Sequence, residues 1–169
     1  NIMTDTSAPG NPTPPQDPNG EKAPAPAMRV LGQYVKDLSF ENPGHSPVQA
    51  QPNIDLGIDV GAKPHADGNG LFEVSLKLSA KALSDGKVMF ITELDYAGLF
   101  QMQNVAPDQL EPMLLIECPR LLFPFARRII AEITREGGFP PLLIDPVDFV
   151  ALYQAQVRRA AGAPAPTQQ

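Results

Sequence analysis

Cysteine occurs once in this chain and histidine twice, and each scarcity closes off a kind of chemistry. A single thiol, Cys118, cannot form an intrachain disulfide, which fits a reducing compartment. One cysteine with two distant histidines, His45 and His65, does not supply a zinc site, and no metal is expected. As a nucleophile Cys118 would need an oriented base. Both histidines fall in probable loops, so the thiol reads as a small buried hydrophobe. Basic charge is also short. Thirteen Lys/Arg against nineteen Asp/Glu leave a net charge of -6, which argues against a nucleic-acid partner. The longest apolar stretches are interrupted by Glu117, Pro119 and Arg120, so no segment is expected to insert into a bilayer. The start lacks a basic region followed by an apolar run, so it does not read as a secretory signal. A cytoplasmic protein is the simplest expectation.

Catalytic and cofactor signatures are missing as well. There is no phosphate-cradling glycine loop ending in Gly-Lys-Ser/Thr and no Gly-x-Ser-x-Gly. "HADGNG" starts like a calcium loop, but its first ligand position is His65 and its last is Leu76, where a bidentate Glu is needed. It reads as a hairpin turn. Asp37 and Glu41 are open to three readings: an acid/base pair, solvated strand-edge charges, or an acidic docking patch.

Proline is abundant, but unevenly placed. Residues 1–27 hold seven of the twenty prolines and no Leu, Val, Phe or Tyr, which predicts a disordered extension, dispensable for folding. "AGAPAPTQQ" at 161–169 predicts a disordered tail, leaving one folded domain over 28–160. Within it, residues 28–117 hold six basic and twelve acidic side chains, whereas residues 118–160 hold six and four. An acidic half joined to a mildly basic half suggests an oriented polar contact.

The period of the apolar residues changes along the chain. "NIDLGIDV" puts Ile54, Leu56, Ile58 and Val60 on one strand face, and "LFEVSLKLSAKAL" does the same with Phe72, Val74, Leu76 and Leu78. "ADGNG" and "SDG" supply turns. With "VLGQYVKDLSFE" and "KVMFITELDYAGLF", this predicts a four-stranded antiparallel meander. After Gln101 the spacing becomes helical. Leu121, Leu122, Phe125, Ala126, Ile129, Ile130 and Ile133 form one stripe, in a long helix whose main part starts near Phe123 or kinks at Pro124 and ends at Gly137-Gly138. "FPPLLIDP" is an extended connection, and "PVDFVALYQAQV" is a short second helix with Phe149, Leu152 and Tyr153 on one side. The fold class is therefore α+β: a four-stranded antiparallel sheet followed by a long helix and a short C-terminal helix.

The stretch "CPRLLFPFARRIIAEITREGGFPPLLIDPVDFVALY" resembles the C-terminal half of the SecB family of protein-export chaperones. The family pattern is Cys-Pro-x-x-Leu-Phe-Pro-Tyr/Phe-Ala-Arg, then Gly-x-Phe-Pro, then Pro-Val-x-Phe-x-Ala-Leu, and all three appear here in order. "YVKDLSFENP" resembles the family's first strand and "FITELDYAGLF" its fourth. Three departures stand out: the long Pro-rich extension, Tyr96 where a small or polar residue is usual, and Gly57 where a charge is common. The resemblance implies a homotetramer, a dimer of dimers, with no enzymatic activity and no nucleotide or other cofactor. Unfolded precursor proteins would be held and passed to the ATPase SecA. It places SecA contacts at Asp37, Glu41, Ile91 and Glu93, and a client groove along Ile54, Leu56 and Ile58 with Phe149, Leu152 and Tyr153 as a lid. The zinc of that docking belongs to the partner. A chaperone dedicated to one client, such as an antitoxin, and a carrier of small hydrophobic ligands are the alternatives.

Overall fold

The computed structural model describes residues 20, 22–44 and 51–162. The expectations for the 1–27 extension and the 161–169 tail fall mostly outside these residues. Four strands come first: β1 (Ala27–Glu41), β2 (Asn53–Pro64), β3 (Leu71–Ser84) and β4 (Lys87–Gln103). A single helical run follows, made of α1 (Pro107–Pro112), a π-helical turn (Met113–Glu117) and α2 (Cys118–Glu136), and α3 (Phe149–Ala160) closes the order.

The strands lie in the order β1-β4-β3-β2, all antiparallel. Strands β2, β3 and β4 form the expected hairpins. Asp85 and Gly86 both have positive φ, 48° and 74°, as a two-residue hairpin turn with the strands' own twist requires. The "ADGNG" turn does the same with Gly68, Asn69 and Gly70. A four-strand meander is not what forms, however. β1 pairs with β4 instead of β2, and the stretch between β1 and β2 carries Pro43, Pro47 and Pro52 in the sequence in place of a two-residue turn signal. Both β1 and β2 are therefore edge strands.

The alternation of β4 decides which side is core. Phe90, Thr92, Leu94, Tyr96, Phe100 and Met102 are buried under the helices with Val74, Leu76 and Leu78 of β3. Gly98 lets Leu122 come close to β4, since a Cβ there would collide with Phe100 and Leu122. From α2, Cys118, Leu122, Phe123, Ala126 and Ile130 complete the core. At the far end Phe90 packs between Phe40 and Phe139, with ring centroids 5.7 Å and 4.9 Å away. The hydroxyl of buried Thr134 donates to Ile130 O (2.9 Å) and accepts from Leu142 N–H (2.9 Å), fastening the extended 139–148 connection to α2.

The helical run begins earlier than its prolines suggest. It starts at Pro107 and passes through Pro112, Pro119 and Pro124, whereas the sequence pattern places the start of the helix's main part near Phe123 or a kink at Pro124. The π turn widens the helix between Pro112 and Pro119, and Cys118 N–H bonds back to Met113 O. The predicted stripe is also wider than this core needs. Leu121 and Phe125 stay 43% and 45% exposed.

Candidate functional site: two faces of one sheet

Paired residues on antiparallel strands point to the same side. In the observed register Asp37 lies opposite Asp95, Ser39 opposite Glu93 and Glu41 opposite Ile91. Tyr96 and Leu94 on the same strand are in the core, so this set faces away from the helices. All four expected docking residues, Asp37, Glu41, Ile91 and Glu93, thus share the open face of the sheet. Asp95 joins them and was missed. It lies two residues beyond Glu93, so the period-two rule reaches it. Asp95 accepts a hydrogen bond from Ser75, and Lys77 stands between Asp59 and Asp95 in the strand ladder. A shallow open depression of about 490 Å³ runs here, lined by Asp37, Asp59, Lys77, Glu93 and Asp95 among others.

Beside this patch lies a tight charge cluster. Glu73 of β3 accepts from Lys36 Nζ at 2.7 Å and from Tyr34 Oη at 2.5 Å, both reaching from β1 across β4, and Lys63 is 3.5 Å away. The Lys36 hydrogen bond, then that of Tyr34, holds the Glu73 carboxyl down to about 2. Burial and the bond to Glu73 push Tyr34 up to about 12. Because the Glu73 value is depressed in the folded state, its linkage is fully present above its ordinary 4.5 and is lost as pH falls toward 2. Thermal melts across that window should show a shallower acid limb for Glu73→Gln than for the parent chain. Superimposable limbs would mean that the cluster does not support the fold.

On the helix side, α2 covers β3 and β4 and leaves the flanks bare. On β2, Ile54 and Leu56 are 36% and 38% exposed, while Ile58 packs against the core. Beyond them a cleft of about 490 Å³ separates Val60, Gly61 and Ala62 from Leu110, Leu114 and Leu115. Those leucines belong to the helical run that the prolines concealed. β2 and α3 both pack on the π turn. Asp148 caps α3, its carboxylate accepting Ala151 N–H at 3.0 Å. Phe149 is buried edge-on against Phe123 at 6.0 Å, Leu152 is partly buried on the core, and Tyr153 is half-buried. The three β2 residues therefore form one row. Of the α3 trio, Leu152 and Tyr153 are partly accessible and Phe149 supports them from below. On the opposite flank β1 leaves Val30, Val35 and Leu38 exposed.

Cys118 is fully buried, 3.4 Å from Met28 Sδ, and burial, with Glu117 adding to it, pushes its thiol up to about 12. Such a thiol stays protonated and is no nucleophile. Cys118→Ser should cost about 1–3 kcal/mol by burying a hydroxyl among apolar groups, without loss of activity. A folded but inactive Cys118→Ser chain would return the thiol to the functional residues. His65 sits in the β2–β3 turn and accepts Asp67 N–H at 3.2 Å. His45 lies outside the described residues.

Among the described residues no group of three or more His, Cys, Asp or Glu could hold a metal, and no helix is long and apolar enough to cross a membrane. What the described residues form is a binding scaffold: one sheet with an acidic open face and apolar flanks on the other side. Such a scaffold suits a chaperone-type binding protein. The model of the family described as preprotein translocase subunit SecB matches residues 21–160. Curated relatives called protein-export protein SecB match at 82% identity in Hyphomonas neptunium, over 94% of this chain and 93% of the relative. In Maricaulis maris the match is 56%, over 94% and 91%. A solved SecB-like chaperone of Mycobacterium tuberculosis, bound to an antitoxin peptide, shares the fold with a TM-score of 0.61 at 14% identity. The match covers 71% of this chain and 90% of that one. The chain belongs to the SecB family; it is a protein-export chaperone and not an enzyme.

Proposed function

We propose that this chain works in the cytoplasm as a homotetramer, a dimer of dimers, which holds precursor proteins unfolded without ATP and delivers them to SecA. The observation that supports this reading best is the separation of surfaces. The acidic set around Glu93 and the apolar row of Ile54 and Leu56 lie on opposite sides of the same sheet, so holding and delivery need not compete. Open apolar clefts that can accept many sequences suit a holdase better than a closed polar pocket. A chaperone that binds only the unfolded state slows refolding by mass action. The exposed apolar residues of β1, with Leu121 and Phe125 of α2, suit the subunit contacts: Phe125 stacks on Tyr96 at 6.5 Å, over the β1 side of the sheet.

The direct test is refolding of a denatured precursor with and without one tetramer equivalent of the chaperone, in the absence of nucleotide. A marked delay is expected. Refolding at the unassisted rate would remove the holdase reading.

A further inference from the structure

Between the pairs Met28↔Met102 and Phe40↔Thr92, β1 carries two more residues than β4. The surplus appears as two bulges, with Leu31 and Lys36 left out of the pairing. A bulge inverts the alternation of everything that follows it. Val30 points to the helix side opposite Phe100. After Leu31, Gln33 and Val35 point there instead, opposite Gly98 and Tyr96. After Lys36, Leu38 and Phe40 do, opposite Leu94 and Thr92. The ends are anchored by Met28 against Cys118 and by Phe40 in its aromatic cluster. Neither anchor says where between them the surplus residues go.

The Glu73 cluster does. Lys36, the second surplus residue, bonds Glu73, and so does Tyr34, which faces the open side only because the surplus is split in two. Immediately after Lys36 comes Asp37, the first residue of the acidic set, and it sits opposite Asp95, a like charge that favours its moving away. We propose that Glu73 and Lys36 are positioning residues for the delivery surface. They pin the surplus residue at 36, so that Asp37 emerges on the open face next to Glu93 and not in some other register. This rests on the proposed SecA docking through Asp37, Glu41, Ile91 and Glu93. It adds to that docking a determinant on β3, a strand that contributes none of those four residues.

Two variants of equal charge separate positioning from electrostatics. Lys36→Ala keeps the surplus residue but frees it. Deletion of Lys36 removes the surplus residue, so Val35 and Asp37 become neighbours with the alternation they already have. Both make the face more negative, so electrostatics alone makes each bind a basic partner more tightly. Positioning instead predicts that Lys36→Ala weakens SecA binding about threefold to tenfold, that the deletion stays within about twofold of the parent, and that Lys36→Arg binds as the parent does. Client affinity, measured alongside with an unfolded precursor, should not change in any of them. Should the deletion fail to fold, the sign of the Lys36→Ala effect still decides. Tighter or unchanged SecA binding by Lys36→Ala overturns the proposal. Glu93→Lys is run in parallel as the control. If it weakens binding while Lys36→Ala does not, only the positioning role fails. If neither weakens it, the docking surface itself is misassigned.

Discussion

Glu93→Lys is expected to lower the affinity for SecA by about tenfold or more at low salt while client binding stays within about twofold. Glu93 is exposed, with Ser39 opposite it, Ile91 two residues before it and Asp95 two residues after it on the same face. Reversing its charge changes the local field by two units, beside Asp95 and Asp37. A tenfold change requires only about 1.4 kcal/mol, within the range for charges at an interface rim. Raised salt should weaken the parent complex as well, since the Debye length shrinks to about 8 Å at physiological ionic strength. Core packing is not involved, because β4 sends its alternate residues, Thr92 and Leu94, to the other side. The measurement is a titration of SecA against chaperone at two salt concentrations. If the triple change Asp37→Ala, Glu41→Ala and Glu93→Lys leaves the affinity unaltered at low salt, this face does not dock SecA.

The second large effect is expected on the other side of the sheet. Replacing Ile54 and Leu56 with Ser should weaken binding of an unfolded precursor about tenfold and shift the melting temperature by only a few degrees. More than a third of each residue is already exposed in the free chain, so the fold recovers only part of the ~2–3 kcal/mol that full burial of such a side chain gives. On the proposed groove, a bound client recovers the rest. Ile58 differs, because it packs against the core. Adding Ile58→Ser should therefore cost about 2–3 kcal/mol of stability in addition to client affinity. Calorimetry and a client-binding titration on the double and triple variants separate the two contributions. If the double variant already unfolds, Ile54 and Leu56 are core residues and the client groove lies elsewhere.

How much of this was legible beforehand follows from the length scale of each signal. The β2–β3 and β3–β4 hairpins are written locally, in "ADGNG" and "SDG", where positive φ demands Gly, Asn or Asp. That the acidic positions pair up on common faces was legible for a related reason, while their grouping into one docking set came from the resemblance to the SecB family. Asp37 with Glu41, and Ile91 with Glu93, obey a period of two inside regular strand segments. The partner of β1 was not legible, because it depends on a contact between residues some sixty positions apart, Tyr34 with Ala97 for example. The two bulges also break the alternation that would have signalled it. The helical run before Cys118 was hidden by Pro112 and Pro119, since proline counts as a helix breaker unless a π turn is foreseen. With that run went Leu110, Leu114 and Leu115, the far wall of the apolar cleft. Phe149 was assigned to the right helix and side, but whether such a residue is lid or core depends on Phe123, which periodicity does not reveal.

The two-sidedness of β4 has a genetic consequence. Its even-numbered residues, Phe90 through Met102, answer to the core, and its odd-numbered residues, Ile91, Glu93 and Asp95, answer to the open face. Lesions at the two sets should therefore belong to different classes, one giving low abundance and the other a plentiful but export-defective protein. On the proposed docking, selection can then retune the open face as the partner drifts, substitution by substitution, without eroding the interior that the same strand builds.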